Sequence, residues 1–147
     1  VSELRVLIAY LSYSGNTEEV AAYIGDYFNR EGITVEWHRI GIDALNDPAY
    51  YDLIFLGTFT WERGSTPDEV KDFVLEVGYK PENMAIFGTG DTQFGGDDLF
   101  CRAADKLAKF YGSSYPVLKI EQSPRGSQES KIEQWLEGVL DNAKSYA

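Results

Sequence analysis

Five short apolar runs alternate along the chain with longer segments whose apolar residues recur every three or four positions. The runs at 5–10, 34–40, 53–58, 83–88 and 115–120 are expected strands, and helical spacing marks 17–30, 67–76, 98–111 and 128–143. Leu53-Ile54-Phe55-Leu56 and Met84-Ala85-Ile86-Phe87 show no alternation. That suits strands covered on both faces, as in a parallel sheet. Val20, Ala21, Ile24, Tyr27 and Phe28 form one helical stripe, and Ile132, Trp135, Leu136, Val139 and Leu140 form another. Gly32 is placed to stop the first helix and Pro67 to start the second. Residues 41–51 show no clear period and are expected to be loop or a short irregular turn. Strand–helix alternation implies right-handed crossovers and a doubly wound α/β sheet, with a ligand at the carboxyl ends of the strands where their order reverses. The loops after the first, third and fourth strands should meet there.

A chain of 147 residues fits one domain, taken as 1–147. Its 44% hydrophobic content can fill a single core, and no apolar run approaches membrane-spanning length. The opening residues carry no basic, apolar, small-residue leader, so a cytoplasmic location is expected. Thirteen Lys and Arg against 24 Asp and Glu leave a net charge of −11, which disfavours nucleic acid and anionic membranes and would steer basic protein partners. Cys101 is the only cysteine and His38 the only histidine, which excludes disulfides within the chain, cysteine-rich zinc sites, self-ligated iron–sulfur clusters and catalytic triads. His38 lies in the alternating stretch 34–40 and is expected at an exposed strand position. Cys101 is expected in the first turn of a helix, buried as a small apolar residue and without chemistry of its own.

The candidate chemistry is concentrated in three loops. Ser12-Tyr13-Ser14-Gly15-Asn16-Thr17 joins the first strand to the first helix. Gly15 permits a sharp turn, and the N–H groups opening a helix converge there beside three hydroxyls, a cradle for a dianion. The loop lacks the Lys of a GxxxxGK[ST] motif and the glycines of GxGxxG, which leaves a monophosphate ester rather than a triphosphate or a dinucleotide. After the third strand come Phe59-Thr60-Trp61-Glu62-Arg63-Gly64, where Trp61 can stack on a flat conjugated ring. After the fourth come Thr89-Gly90-Asp91 and Phe94-Gly95-Gly96, whose glycines let backbone approach a ligand while Phe94 covers a second ring face.

The first loop resembles the [ST]-x-T-G-x-T phosphate loop of flavodoxins, with Ser14 in place of the commoner Thr. Thr58-Phe59-Thr60-Trp61 with Pro67-Asp68-Glu69, then 87–94 and Phe100-Cys101-Arg102-Ala103-Ala104-Asp105, are similar to the short-chain flavodoxins of bacteria over essentially the whole chain. The fifth strand lacks the insertion of long-chain members. The resemblance implies a flavodoxin-like three-layer sandwich, with a five-stranded parallel sheet in the order 2-1-3-4-5 and helices on both faces. It implies non-covalently bound FMN. Ser12, Ser14, Asn16 and Thr17 would hold its phosphate, Trp61 and Phe94 would flank its ring, and Thr60 with the Thr89-Gly90-Asp91 backbone would line the ring's polar edges. The implied function is a low-potential one-electron carrier, not an enzyme, working between a flavodoxin reductase and acceptor redox proteins, with monomer as the default state.

Three positions depart from the family pattern. Glu62-Arg63 stands where a glycine-containing pair is usual, and a side chain at Glu62 should cost about 1 kcal/mol when the peptide after Trp61 rotates on one-electron reduction. That would lower the first reduction potential by about 40 mV. Arg63, where an acid is typical, would ease formation of the anionic reduced flavin unless Glu62, Asp68 or Glu69 neutralises it. Phe94 replaces a common Tyr, and Gly95-Gly96-Asp97-Asp98 lengthens the loop behind it. The rival reading is the flavodoxin-like activator of class Ib ribonucleotide reductase, kept open by Gly95-Gly96, with Trp61 and 88–91 favouring the carrier. A flavin-free binding module of the same fold and an NAD(P)H-dependent FMN reductase are further readings, the latter without a second nucleotide motif.

Overall fold

Apolar runs too uniform to leave one face wet become the strands of a single parallel sheet, and the amphipathic segments become the helices that cover it. The computed structural model describes residues 4–12, 15–45, 47–59, 66–81, 83–90, 101–113, 115–121 and 126–145. The elements are β1 (Val6–Tyr10), α1 (Asn16–Arg30), β2 (Val35–Arg39), a 3-10 turn (Pro48–Tyr50), β3 (Leu53–Phe59), α2 (Asp68–Val77), β4 (Met84–Gly90), α3 (Arg102–Tyr111), β5 (Leu118–Glu121) and α4 (Ser127–Ser145). The strands lie in the order β2-β1-β3-β4-β5, the order expected from the sequence, and every pairing is parallel. Among the described residues no helix is long and apolar enough to cross a membrane.

Successive strand residues point to opposite faces, so each strand feeds two cores. Val6, Ile8 and Tyr10 join Leu53, Phe55, Ala85 and Phe87 beneath the stripes of α1 and α4. Leu7 and Ala9 join Ile54, Leu56, Met84 and Ile86 beneath α2 and α3. Burial of each large apolar side chain contributes about 1.5–3 kcal/mol, enough in sum to offset much of the cost of ordering the chain. Two glycines permit close approach at the carboxyl half of the sheet. A Cβ on Gly57 would overlap the Phe87 ring, and one on Gly88 would lie 2.8 Å from the Ala104 Cβ of α3.

The boundaries differ from expectation in informative places. β4 runs on through Thr89 and Gly90, because these pair with Ile120 and Glu121 of β5. β5 starts at Leu118 rather than 115, after Pro116, which has no N–H to give to a ladder. The segment 41–51 contains one 3-10 turn, initiated by Asp47, whose carboxylate accepts from the Ala49 N–H at 3.0 Å.

His38 contradicts its expected exposure: the residue is 4% exposed. β2 is an edge strand, but α2 extends over its outer face, and the imidazole lies 5.4 Å, centroid to centroid, from the Phe73 ring. Trp37, one position earlier, takes the other face and stands edge-on to Tyr10. Burial lowers the His38 pKa, more than Asp43, Glu76 and a hydrogen bond to the Ala44 backbone raise it. Cys101 is also displaced from its expected helical turn. It precedes α3 with φ 55°, a left-handed conformation that no helical residue has, and it is fully buried.

Candidate functional site

The strand order reverses between β1 and β3: the chain leaves β1 for β2 on one side and returns to β3 on the other. The crevice at the carboxyl ends of these strands is therefore flanked by two divergent connections. Leu11 is tied into its floor by an N–H bond to the Gly57 carbonyl at 3.1 Å. Ser12 follows, half-buried, and its hydroxyl accepts from the Gly15 N–H at 3.1 Å, which closes the turn into α1.

Gly15 sits at φ 92°, and a Cβ there would meet nothing within 4 Å. Conformation, not space, therefore demands glycine at this position. It caps α1 without a side-chain hydrogen bond, and the first helical bond runs from the Glu19 N–H back to the Gly15 carbonyl at 3.0 Å. The Thr17 and Glu18 N–H groups precede that bond, so intrahelical geometry supplies them no acceptor. Together with the Ser12 hydroxyl they make a neutral, donor-rich cradle at the positive end of the helix dipole, a fit for a phosphate monoester.

Thr17 points elsewhere. Its residue is 1% exposed, and its Oγ1 lies 2.8 Å from Oγ1 of Thr89, also buried, at the carboxyl end of β4. In register, Thr89 stands beside half-buried Phe59, the last residue of β3. Gly90 ends β4 beside Glu121. Thus Ser12, Gly15, Asn16, Thr17, Phe59, Thr89 and Gly90 gather at one end of the sheet. Tyr13, Ser14, Thr60, Trp61, Glu62, Arg63, Gly64, Asp91, Phe94, Gly95 and Gly96 lie outside the described residues.

Sequence reading missed two features here. Thr58, fully buried, gives its hydroxyl to the Phe59 carbonyl at 2.8 Å; a threonine closing an apolar run was its only signal. Beside the cradle, a cavity of about 360 Å³ is lined by Tyr10, Ser12, Glu18, Arg39 and Glu69 among others. Burial first, then the Glu18 and Asp43 carboxylates, raises the Tyr10 pKa against the opposing Arg39 charge, so the phenol stays protonated at neutral pH. Arg39 is engaged by Asp43 at 3.1 Å, and its hydrogen bonds hold the Asp43 pKa below the usual carboxylate value.

An α/β sheet of this order, with a phosphate-type cradle at its switch point, places the chain among the small doubly wound domains that bind a phosphorylated ligand at the carboxyl ends of their strands. The flavodoxin family model matches residues 8–135. Probable flavodoxin 2 of Bacillus subtilis is 33% identical over 137 residues, covering 87% of this chain and 89% of the relative. The crystal structure of oxidised flavodoxin 2 from Bacillus cereus is 30% identical with a TM-score of 0.79, covering 94% of this chain and 99% of that one. A short-chain flavodoxin associated with a non-canonical PDU bacterial microcompartment superposes with a TM-score of 0.85 over 95% of this chain and 99% of that one; at 22% identity this shows the fold. The chain belongs to the flavodoxin family, whose members are FMN-binding electron carriers, and is an electron-transfer flavoprotein of that kind.

Proposed function

We propose that the chain, acting as a single domain over 1–147, carries single electrons on non-covalently bound FMN between a reductase and acceptor redox proteins. The observation that carries this reading is the N-terminus of α1 at the switch point, opened by left-handed Gly15 and without a side-chain cap. Residues 12–17 hold the phosphate through backbone N–H groups and hydroxyls. Phe59, Thr60, Trp61, Glu62, Arg63 and Gly64 meet the ring from β3, and Thr89, Gly90, Asp91, Phe94, Gly95 and Gly96 meet it from β4. Bound there, FMN supplies low-potential one-electron chemistry. The chain's contribution is to orient the cofactor and exclude water from it, and no substrate of its own is required.

The net charge of −11 steers basic surfaces of partners toward the molecule, so association is fast, weak and salt-sensitive, as a cytoplasmic monomeric carrier needs. The relatives are flavodoxins by name, which favours the carrier over the ribonucleotide reductase activator. Titrating the apoprotein with FMN while following flavin fluorescence should give one site per chain. Anaerobic reduction of the loaded protein should then show two separated one-electron steps in the visible spectrum. Failure to bind FMN would overturn the reading.

A further inference from the structure

We propose that the hydroxyls of Thr17 and Thr89 form a latch between the phosphate end of the flavin site and its ring end, an inference that rests on the flavin reading above. The two residues are 72 positions apart, and their Oγ1 atoms approach to 2.8 Å. Thr17 is 1% and Thr89 2% exposed, so neither hydroxyl has water to fall back on.

The geometry follows from how α1 crosses the sheet. Thr89 shares the face of Ala85 and Phe87, the face that α1 covers. Thr17 leads the buried stripe Val20, Ala21 and Ile24, so the first turn of α1 reaches past β1 and β3 to β4. The elements joined are the turn that follows residues 12–16 and the strand end from which residues 91–100 depart. The bond therefore spans the two halves of the site, whichever oxygen donates.

A hydroxyl carries one proton and two acceptor positions. With Thr17 as donor, its proton is committed to Thr89 and an anion at the α1 N-terminus is held by backbone N–H groups and other hydroxyls. With Thr89 as donor, Thr17 relays a contact with the anion into β4. In both senses the pair is a positioning device, and loss of either hydroxyl leaves its partner buried and unpaired. Loss of both removes the unpaired group as well, so the effects of the two substitutions should not add.

The test is calorimetric titration of the apoprotein and its variants with FMN and with riboflavin, which lacks the phosphate. Thr17→Val and Thr89→Val should each weaken both flavins by roughly tenfold, as the joined arrangement becomes a minor population, and a further loss confined to FMN would mark Thr89 as the donor and Thr17 as the relay to the anion. The double variant should bind no worse than either single one, and Thr17→Ser and Thr89→Ser, which keep the hydroxyls and confirm that the site still folds, should restore binding. A Thr17→Val protein that loses FMN affinity but keeps riboflavin affinity, with Thr89→Val unaffected, would make Thr17 a simple phosphate ligand and overturn the latch. Additive losses in the double variant would overturn it too. A wild-type chain that binds neither flavin would instead remove the flavin reading, and the latch with it.

Discussion

The two faces of the sheet are built from the same strands yet differ in kind. Beneath α1 and α4 the core is aliphatic and aromatic: Phe28, Phe55 and Trp135 meet at ring-centroid distances of 5.5 Å, and the indole N–H is satisfied by the Pro116 carbonyl at 2.6 Å. Beneath α2 and α3 the core also takes in the chain's single cysteine and its single histidine, with the phenol of Tyr111. Burial holds all three in their neutral forms: it pushes Cys101 and Tyr111 each up to about 12 and pulls His38 down. Between about pH 5.5 and 7.5 the first face, whose buried ionisable groups are tyrosine phenols such as Tyr10, is a source of cohesion insensitive to pH, and the second carries the histidine whose charging would oppose folding.

The largest effect expected from this contrast is chemical. With its pKa near 12 against an ordinary 9.0, Cys101 has roughly a thousandfold less thiolate at neutral pH than an exposed thiol. The desolvation of the sulfur outweighs the favourable charges of Lys119 and Lys131 and the hydrogen bond from the Ile120 backbone. In a disulfide-exchange reagent at pH 8, the native protein should leave Cys101 unmodified over a period in which the urea-unfolded chain reacts completely. Prompt reaction of the native protein would place Cys101 at a mobile, wet boundary and erase this part of the difference between the faces.

Next comes packing on the first face. Phe55 is fully buried between Phe28 and Trp135, and Phe55→Ala should cost about 3–5 kcal/mol, read as a drop in the urea midpoint of the apoprotein. Its stability loss should be the same at pH 7 and pH 5.5, since no titrating group lies in that ring cluster. A pH-dependent loss would show that the two cores are coupled through the sheet.

What the sequence disclosed follows the same division. Leu53 to Leu56 announce a strand buried on both sides, because no polar residue interrupts them, and the helical stripes state which face each helix turns inward. The phosphate loop is legible because its function lies in local backbone: Gly15 needs its left-handed φ whatever surrounds it. His38 is not legible, because alternation says that it opposes Trp37 but not that α2 covers the outer face of an edge strand. The pairing of Thr17 with Thr89 is hidden for a related reason. It depends on the path of α1 across β3, and a threonine opening a helix reads equally well as a phosphate ligand or as a buried tie.

The smallest effect is the most diagnostic of the second face. The folded pKa of His38 lies below its unfolded value near 6.5, so the unfolded chain takes up the proton first as pH falls. The stabilising contribution of neutral His38 is thus complete above about pH 6.5 and is lost on acidification, with a slope of at most about 1.4 kcal/mol per pH unit for one proton. Asp43 and Glu76 both favour the charged imidazole, as does the hydrogen bond to the Ala44 backbone, and Phe73 covers the ring; these acids temper the loss without reversing it, because burial is the larger influence. Carboxylates elsewhere also titrate in acid, so the quantity to measure is a difference. His38→Gln, which keeps a donor and cannot charge, should be less stable than the wild type at pH 7.5 and should close that gap as the pH is lowered to 5.5. A gap that stays constant would mean that His38 takes up its proton as readily in the folded chain as in the unfolded one, and that α2 does not seal the edge of the sheet.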